Sequence, residues 1–109
     1  MANTFKLKTK ANVGVTTVGI YTAPASTTTV VIGITLANTS GSGVNVGVGV
    51  TRAGTTEDVK LLKNAPIPQG SSLEFMAGNK IVLEATDTVT VDSDTTNSVD
   101  AALTIMEIT

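Results

Sequence analysis

The side chains able to do chemistry in this 109-residue chain are few and mostly of one kind. Acids gather late, at Asp87, Asp92, Asp94 and Asp100; the only Arg is Arg52, the only Tyr is Tyr21, and His, Cys and Trp are absent. Without imidazole or thiol there is no Ser-His-Asp triad, no thiolate nucleophile, no proton shuttle near neutral pH and no zinc site of the usual nitrogen and sulfur kind. Two carboxylates across a cleft could hydrolyse a glycoside, but sugar subsites need aromatic walls, and Phe5, Tyr21 and Phe75 are the only three aromatics. Asp92, Asp94 and Asp100 could offer oxygens to calcium, yet the loop lacks EF-hand spacing and its terminal Glu. Asp in such loops ordinarily accepts turn hydrogen bonds from the backbone. No catalytic residue, cofactor or metal is therefore expected.

Nucleic acid is equally ill served. Lys6, Lys8 and Lys10 form the only basic run, Phe5 is its one aromatic neighbour, and net charge is −2, whereas single-strand binders join a positive groove to several stacking rings. Gly41-Ser-Gly43 and Gly47-Val-Gly49 lack the following helix and Lys-Ser/Thr pair of a phosphate loop. The opening residues lack the apolar core of a signal peptide, and no run approaches the roughly 20 apolar residues of a membrane span. No membrane partner is expected.

The elements that must position these residues are strands. Charged residues make up only 15% of the chain, and 20 Thr, 14 Val and 7 Ile supply stiff β-branched side chains suited to a pleated surface. The length fits one domain, residues 1–109. Strand patterns recur every 8 to 12 residues with turn chemistry between them, so the expected fold is all-β: a two-sheet antiparallel sandwich of eight or nine short strands, jelly-roll-like or immunoglobulin-like.

Individual segments sharpen the expectation. Phe5, Leu7 and Thr9 alternate with Lys6, Lys8 and Lys10, predicting a strand with an apolar face and a lysine face that guards a sheet edge. From Val13 to Thr22 the apolar phase slips near Thr16-Thr17, which predicts a bulge. Val30, Ile32, Ile34 and Leu36 predict the core face of a long strand; Asn38 to Gly43 then turns it into Val44 to Thr51, as a hairpin. In that second strand Gly47 and Gly49 leave one face almost without side chains, open either to tight packing within the fold or to another subunit. Ala65-Pro-Ile-Pro-Gln-Gly70 predicts a ladder-poor connection, and Ser71 to Met76 and Lys80 to Ala85 two strands joined by a compact turn at Ala77-Gly78-Asn79. The last strand, Val99 to Ile108, is apolar on both faces, with Val99, Ala101, Leu103 and Ile105 on one and Ala102, Met106 and Ile108 on the other. A half-solvated strand does not show this, so either another part of the chain or a neighbouring subunit covers the second face.

Charge is uneven along the chain. Residues 1–63 carry six cations against two acids, and residues 64–109 one cation against seven acids. Either strands of opposite sign pair within the fold, or complementary edges meet between copies.

The segment Ile67-Pro-Gln-Gly-Ser-Ser-Leu-Glu74, the run Gly78-Asn-Lys-Ile-Val-Leu-Glu-Ala-Thr-Asp87 and the strand Thr88-Val-Thr-Val91 resemble small all-β virion structural proteins of tailed bacteriophages, including those of marine cyanobacteria. The resemblance is clearest over residues 59–109. It implies a non-enzymatic building block of the particle, synthesised in the host cytoplasm and residing in the virion: a capsid decoration or cement protein, or a component of the neck or tail. It transfers no catalytic residue. The implied partners are copies of the chain itself, as in a closed oligomer such as a trimer, and other virion proteins such as the major capsid protein. Candidate interface residues are Lys6, Lys8, Lys10, Gly47, Gly49, Ala102, Met106 and Ile108. The competing reading, of another class, is a sandwich module that binds a host-surface glycan or protein, for which only Tyr21 and Arg52 are residue types common at binding hot spots.

Overall fold

In a computed structural model, described for residues 3–75 and 80–109, nine strands and no helix build two antiparallel sheets. They are β1 (Asn3–Val13), β2 (Val18–Thr22), β3 (Thr28–Asn38), β4 (Val44–Arg52), β5 (Glu57–Ile67), β6 (Ser72–Phe75), β7 (Ile81–Leu83), β8 (Thr88–Ser93) and β9 (Val99–Ile108). The front sheet runs β1-β9-β3-β6, with β7 also on β3, and the back sheet runs β2-β8-β4-β5.

The pairing order distinguishes the two sandwich types. β6 and β7 lie end to end along β3, at Ile34 to Ala37 and at Thr29 to Val31, and count as one interrupted strand. The pairs are then β1 with β9, β2 with β8, β3 with β6/β7, and β4 with β5, each nested inside the last. A long hairpin folded over in this way is a jelly roll.

Four expectations change as a result. β3 and β4 are not a hairpin but lie in different sheets, because the chain crosses the sandwich between them. Asn38 holds that crossing: its Nδ2 donates to the carbonyls of Ser42 (2.8 Å) and Ile67 (3.0 Å), and its Oδ1 accepts from the Ser40 N–H (2.9 Å). β6 and β7 run the same way along β3 and so do not pair with each other; the turn expected at Ala77-Gly78-Asn79 lies outside the described residues. The phase slip near Thr16-Thr17 marks the switch from front sheet to back sheet, not a bulge within one strand. Finally, β5 continues through Pro66 to Ile67, which the missing N–H permits because β5 is an edge strand.

The core lies between the sheets. Leu36, Leu83, Leu103 and Ile105 from the front meet Val46, Val48, Val91 and Ile67 from the back, all almost fully buried. In β3 the predicted face is split by a bulge opposite β9, between Val31 and Gly33. Val31, Ile34 and Leu36 therefore point into the core, whereas Val30 falls on the outer face and Ile32 is half-buried.

Candidate functional site

Residues directly opposite in an antiparallel pair share a face, so the strand registers sort the front-sheet side chains. On β9 the residues Val99, Ala101, Leu103 and Ile105 must face the core, and Lys10, Lys8 and Lys6 stand opposite the last three of these. The expected polarity of β1 is thereby inverted. The lysines occupy the inner phase, and Phe5 and Leu7 stand on the outer surface, 69% and 64% exposed. β1 is an edge strand, as its lysine row predicts, and Lys6 and Lys10 remain exposed while Lys8 is half-buried. Inward-pointing charges at an edge are one way to discourage a further strand from pairing there.

Lys6 also serves an interior group. Its Nζ lies 2.8 Å from Oε1 of Glu107, a carboxylate only 6% exposed. The Tyr21 hydroxyl donates to Oε2 of the same carboxylate at 2.6 Å and lies 2.8 Å from the Thr29 hydroxyl. The single phenolic proton is committed to Glu107, so Thr29 is the donor of the second bond. Hydrogen bonding to Lys6, and then to Tyr21, holds the Glu107 carboxyl below the usual carboxylate range. Burial first, and then the bond to Glu107, pushes the Tyr21 phenol up to about 12. This cluster ties β1, β2, β3 and β9 together at one end of the sandwich.

The other acids are dispersed. Buried Asp87 accepts from Arg52 Nε (3.0 Å) and from the N–H groups of Ala53 (3.2 Å) and Glu84 (3.0 Å), while Arg52 also reaches Glu84. Asp92 accepts from the Thr17 hydroxyl (2.9 Å), Asp94 from the Asn45 N–H (3.1 Å) and Asp100 from the Asn12 N–H (3.0 Å). Among the described residues, no three acids converge on one point. Tyr21 and Arg52, the two side chains that a binding module would need at its surface, are thus engaged internally.

Gly47 and Gly49 are buried within the back sheet. A Cβ on Gly47 would meet Asp92 Oδ1 at 2.6 Å and the Leu62 carbonyl at 3.3 Å; one on Gly49 would meet the Val59 carbonyl at 2.9 Å. Within the chain β5 and β8 crowd both glycines, and beside Gly49 the surface of the back sheet keeps a depression of about 190 Å³ lined by Thr51, Lys60 and Thr90 among others.

The outer face of the front sheet is different, since nothing in the described chain covers it. Its residues form rows across the strands. Asn3, Ile108 and Thr28 make the first row; Phe5, Met106, Val30 and Val82 the second; Leu7, Thr104 and Gly33 the third; Thr9, Ala102, Thr35 and Glu74 the fourth; Asp100, Ala37 and Ser72 the fifth. The second row is bulky and apolar, with Val82 59% exposed. Thr9, Ala102 and Thr35 of the fourth row and Asp100 and Ala37 of the fifth line a shallow depression of about 320 Å³ together with Lys10, Ala11 and Ala101. Ala102, Met106 and Ile108 therefore share one open face, joined by Phe5, Leu7, Val30 and Val82. The alternation of β1 offered Phe5 and Leu7, but only the register with β9 turns them outward.

No protein-family model matches the chain, and comparison with curated protein sequences yields no match. Solved structures do show the same architecture. A chain of the disulfide-linked pili that form Bacillus endospore appendages is similar over 99% of this chain and 87% of its own, with TM-score 0.57 and 18% identity. A chain of the cyanophage Pam1 capsid asymmetric unit is similar over 96% of this chain and 83% of its own, with TM-score 0.52 and 13% identity. A chain of the T13 IBDV viral particle gives TM-score 0.59 at 12% identity, with 96% of this chain spanning 30% of that one. At such identities the likeness is one of fold. It places this chain among jelly-roll sandwiches of the kind found in capsid and pilus proteins.

Proposed function

We propose that the chain is a non-enzymatic structural protein of a tailed-phage virion, most specifically a capsid decoration or cement protein. The observation that carries the reading is the uncovered apolar outer face of the front sheet. Exposed Phe5, Leu7 and Val82 beside Met106 and Ile108 form a contiguous patch of a sort that lone soluble domains rarely leave in water. A fold shared with capsid and pilus chains supports a role in assembly, as does the engagement of the acids in internal bonds. Such a protein works by burying area: a specific contact needs about 1,000 Å² or more, and the energy comes from excluding water from apolar surface, not from a recognition pocket.

Purified chain should either self-associate or attach saturably to capsids that lack it, as read by sedimentation and by co-sedimentation with particles. A strictly monomeric species that ignores particles would overturn the reading. A neck or tail position is the second form of the same role, distinguished by imaging labelled protein on the particle. A sandwich module for host glycans has less support, because Tyr21 is buried against Glu107 and Arg52 is held by Asp87 and Glu84.

A further inference from the structure

We infer that the outer face of the front sheet is a homodimer interface, in which two copies pack face to face about a two-fold axis crossing the strands at Leu7, Thr104 and Gly33. The inference rests on the assembly reading above and deepens it by naming the partner and the geometry.

The face is self-complementary. The bulky row of Phe5, Met106 and Val30 lies to one side of Leu7, Thr104 and Gly33, two residues away on β1 and β9 and three on β3, where the bulge adds one; the small row of Thr9, Ala102 and Thr35 lies two residues to the other. Each step is roughly 6.6 Å along a strand. A two-fold axis in the plane of contact and perpendicular to the strands exchanges those two rows while keeping β1 over β1 and β9 over β9. Each copy's ridge then enters the other's depression of about 320 Å³. An axis parallel to the strands would instead set ridge on ridge and hollow on hollow. Gly33 suits the crossing point, because a Cβ there meets nothing within 4 Å and two sheets can approach closely.

The first three rows are uncharged; Glu74 stands exposed on the edge strand β6, and Asp100 stands exposed near the end of β9, where it lines the depression. The area is sufficient as well. Four strands at about 4.8 Å and five rows at about 6.6 Å give a footprint on the order of 600 Å² per copy. A pair would bury about 1,200 Å² or more, the lower bound of stable specific interfaces.

The absence of cysteine makes the test clean. Thr104→Cys places a single thiol beside the axis, so a short bis-maleimide should convert the chain to a covalent dimer; Thr55→Cys, on the exposed turn between β4 and β5, should stay uncoupled. In sedimentation equilibrium the native chain should be dimeric, and Gly33→Arg should weaken the dimer on the order of 100-fold or more by forcing a cation into an apolar contact. The added side chain starts in open space, so circular dichroism should remain that of the folded sandwich. Leu7→Asp, at an exposed position, should act in the same way. A monomeric native chain, a dimer unaffected by both substitutions, or equal cross-linking at Thr55 overturns the interface. If particle attachment persists in that event, only this interface fails; if the chain neither self-associates nor attaches, the assembly reading fails with it.

Discussion

The polar cluster at one end of the sandwich shows how a single buried carboxylate can govern both stability and the placement of an edge strand. Glu107 is compensated by Lys6 at 2.8 Å and by the Tyr21 hydroxyl at 2.6 Å. Removing one partner of a buried hydrogen bond costs more than the bond contributes, since the other partner is left desolvated. Glu107→Ala should therefore lower stability by roughly 1–3 kcal/mol in urea unfolding, with Tyr21→Phe costing about 1 kcal/mol. A Glu107→Ala variant as stable as the native chain would show that the cluster is ornamental. The pH dependence has a definite sign. Glu107 has its folded pKa lowered, so its contribution is present above the unfolded value near ~4.3 and lost as pH falls through the folded one. Tyr21 has its folded pKa raised to about 12, so its contribution is present below the unfolded value near ~10 and lost as pH rises toward the folded one. Stability should form a plateau between those limits, and Tyr21→Phe should remove the alkaline loss attributable to this phenol. Little of the cluster could be read in advance, because Lys6, Tyr21, Thr29 and Glu107 lie far apart in sequence and meet only through sheet pairing.

At the level of elements, β1 carries the main lesson. Its alternation was legible, and so was its edge position, but its polarity was not: an isolated Phe5-x-Leu7-x-Thr9 strand offers its apolar face to whatever core exists. β9 decides otherwise, because Leu103 and Ile105 claim the core and antiparallel pairing sets Lys8 and Lys6 opposite them. The lysine stems can still lie along apolar surface while their ammonium groups reach water or Glu107. Glycines divide by the same local logic. Gly49→Ala would push a Cβ to 2.9 Å from the Val59 carbonyl and 3.1 Å from Thr90 Oγ1, and should destabilise by about 1–3 kcal/mol. Within its own chain Gly33→Ala meets open space, so on the monomeric Leu7→Asp background it should be neutral or stabilising by up to about 1 kcal/mol, through lower backbone entropy in the unfolded chain. Thermal unfolding of the pair checks both, and equal effects would contradict the packing described for β4.

For the whole molecule, the nested pairing of first strand with last makes most contacts long in sequence. Such topologies fold in milliseconds to seconds, since loop closure is opposed by entropy before the pairing rewards it. Refolding followed by the fluorescence of Tyr21, the only tyrosine, should fall in that range and show one cooperative transition, whereas microsecond folding would contradict the topology. The uneven charge of the chain is resolved at this scale as well. Each ion pair among the described residues joins a cation of residues 1–63 to an acid of residues 64–109: Lys6 to Glu107, Arg52 to Glu84 and Asp87, and Lys60 to Asp92. The two halves interleave because hairpin folding brings early strands beside late ones.

By itself the sequence determined the all-β class, most strand positions and the poverty of catalytic groups, because β-branched content, period-two alternation and missing side-chain types are local properties. It also marked β9 as a strand with two apolar faces. Only the tertiary structure decided that the sandwich is a jelly roll, that β3 and β4 part into different sheets, that Gly47 and Gly49 are crowded by β5 and β8, and that Phe5 and Leu7 look outward. Those outcomes depend on register and on which strand pairs with which. Side-chain alternation has the same form for either face of a strand, so the choice of face belongs to the partner strand.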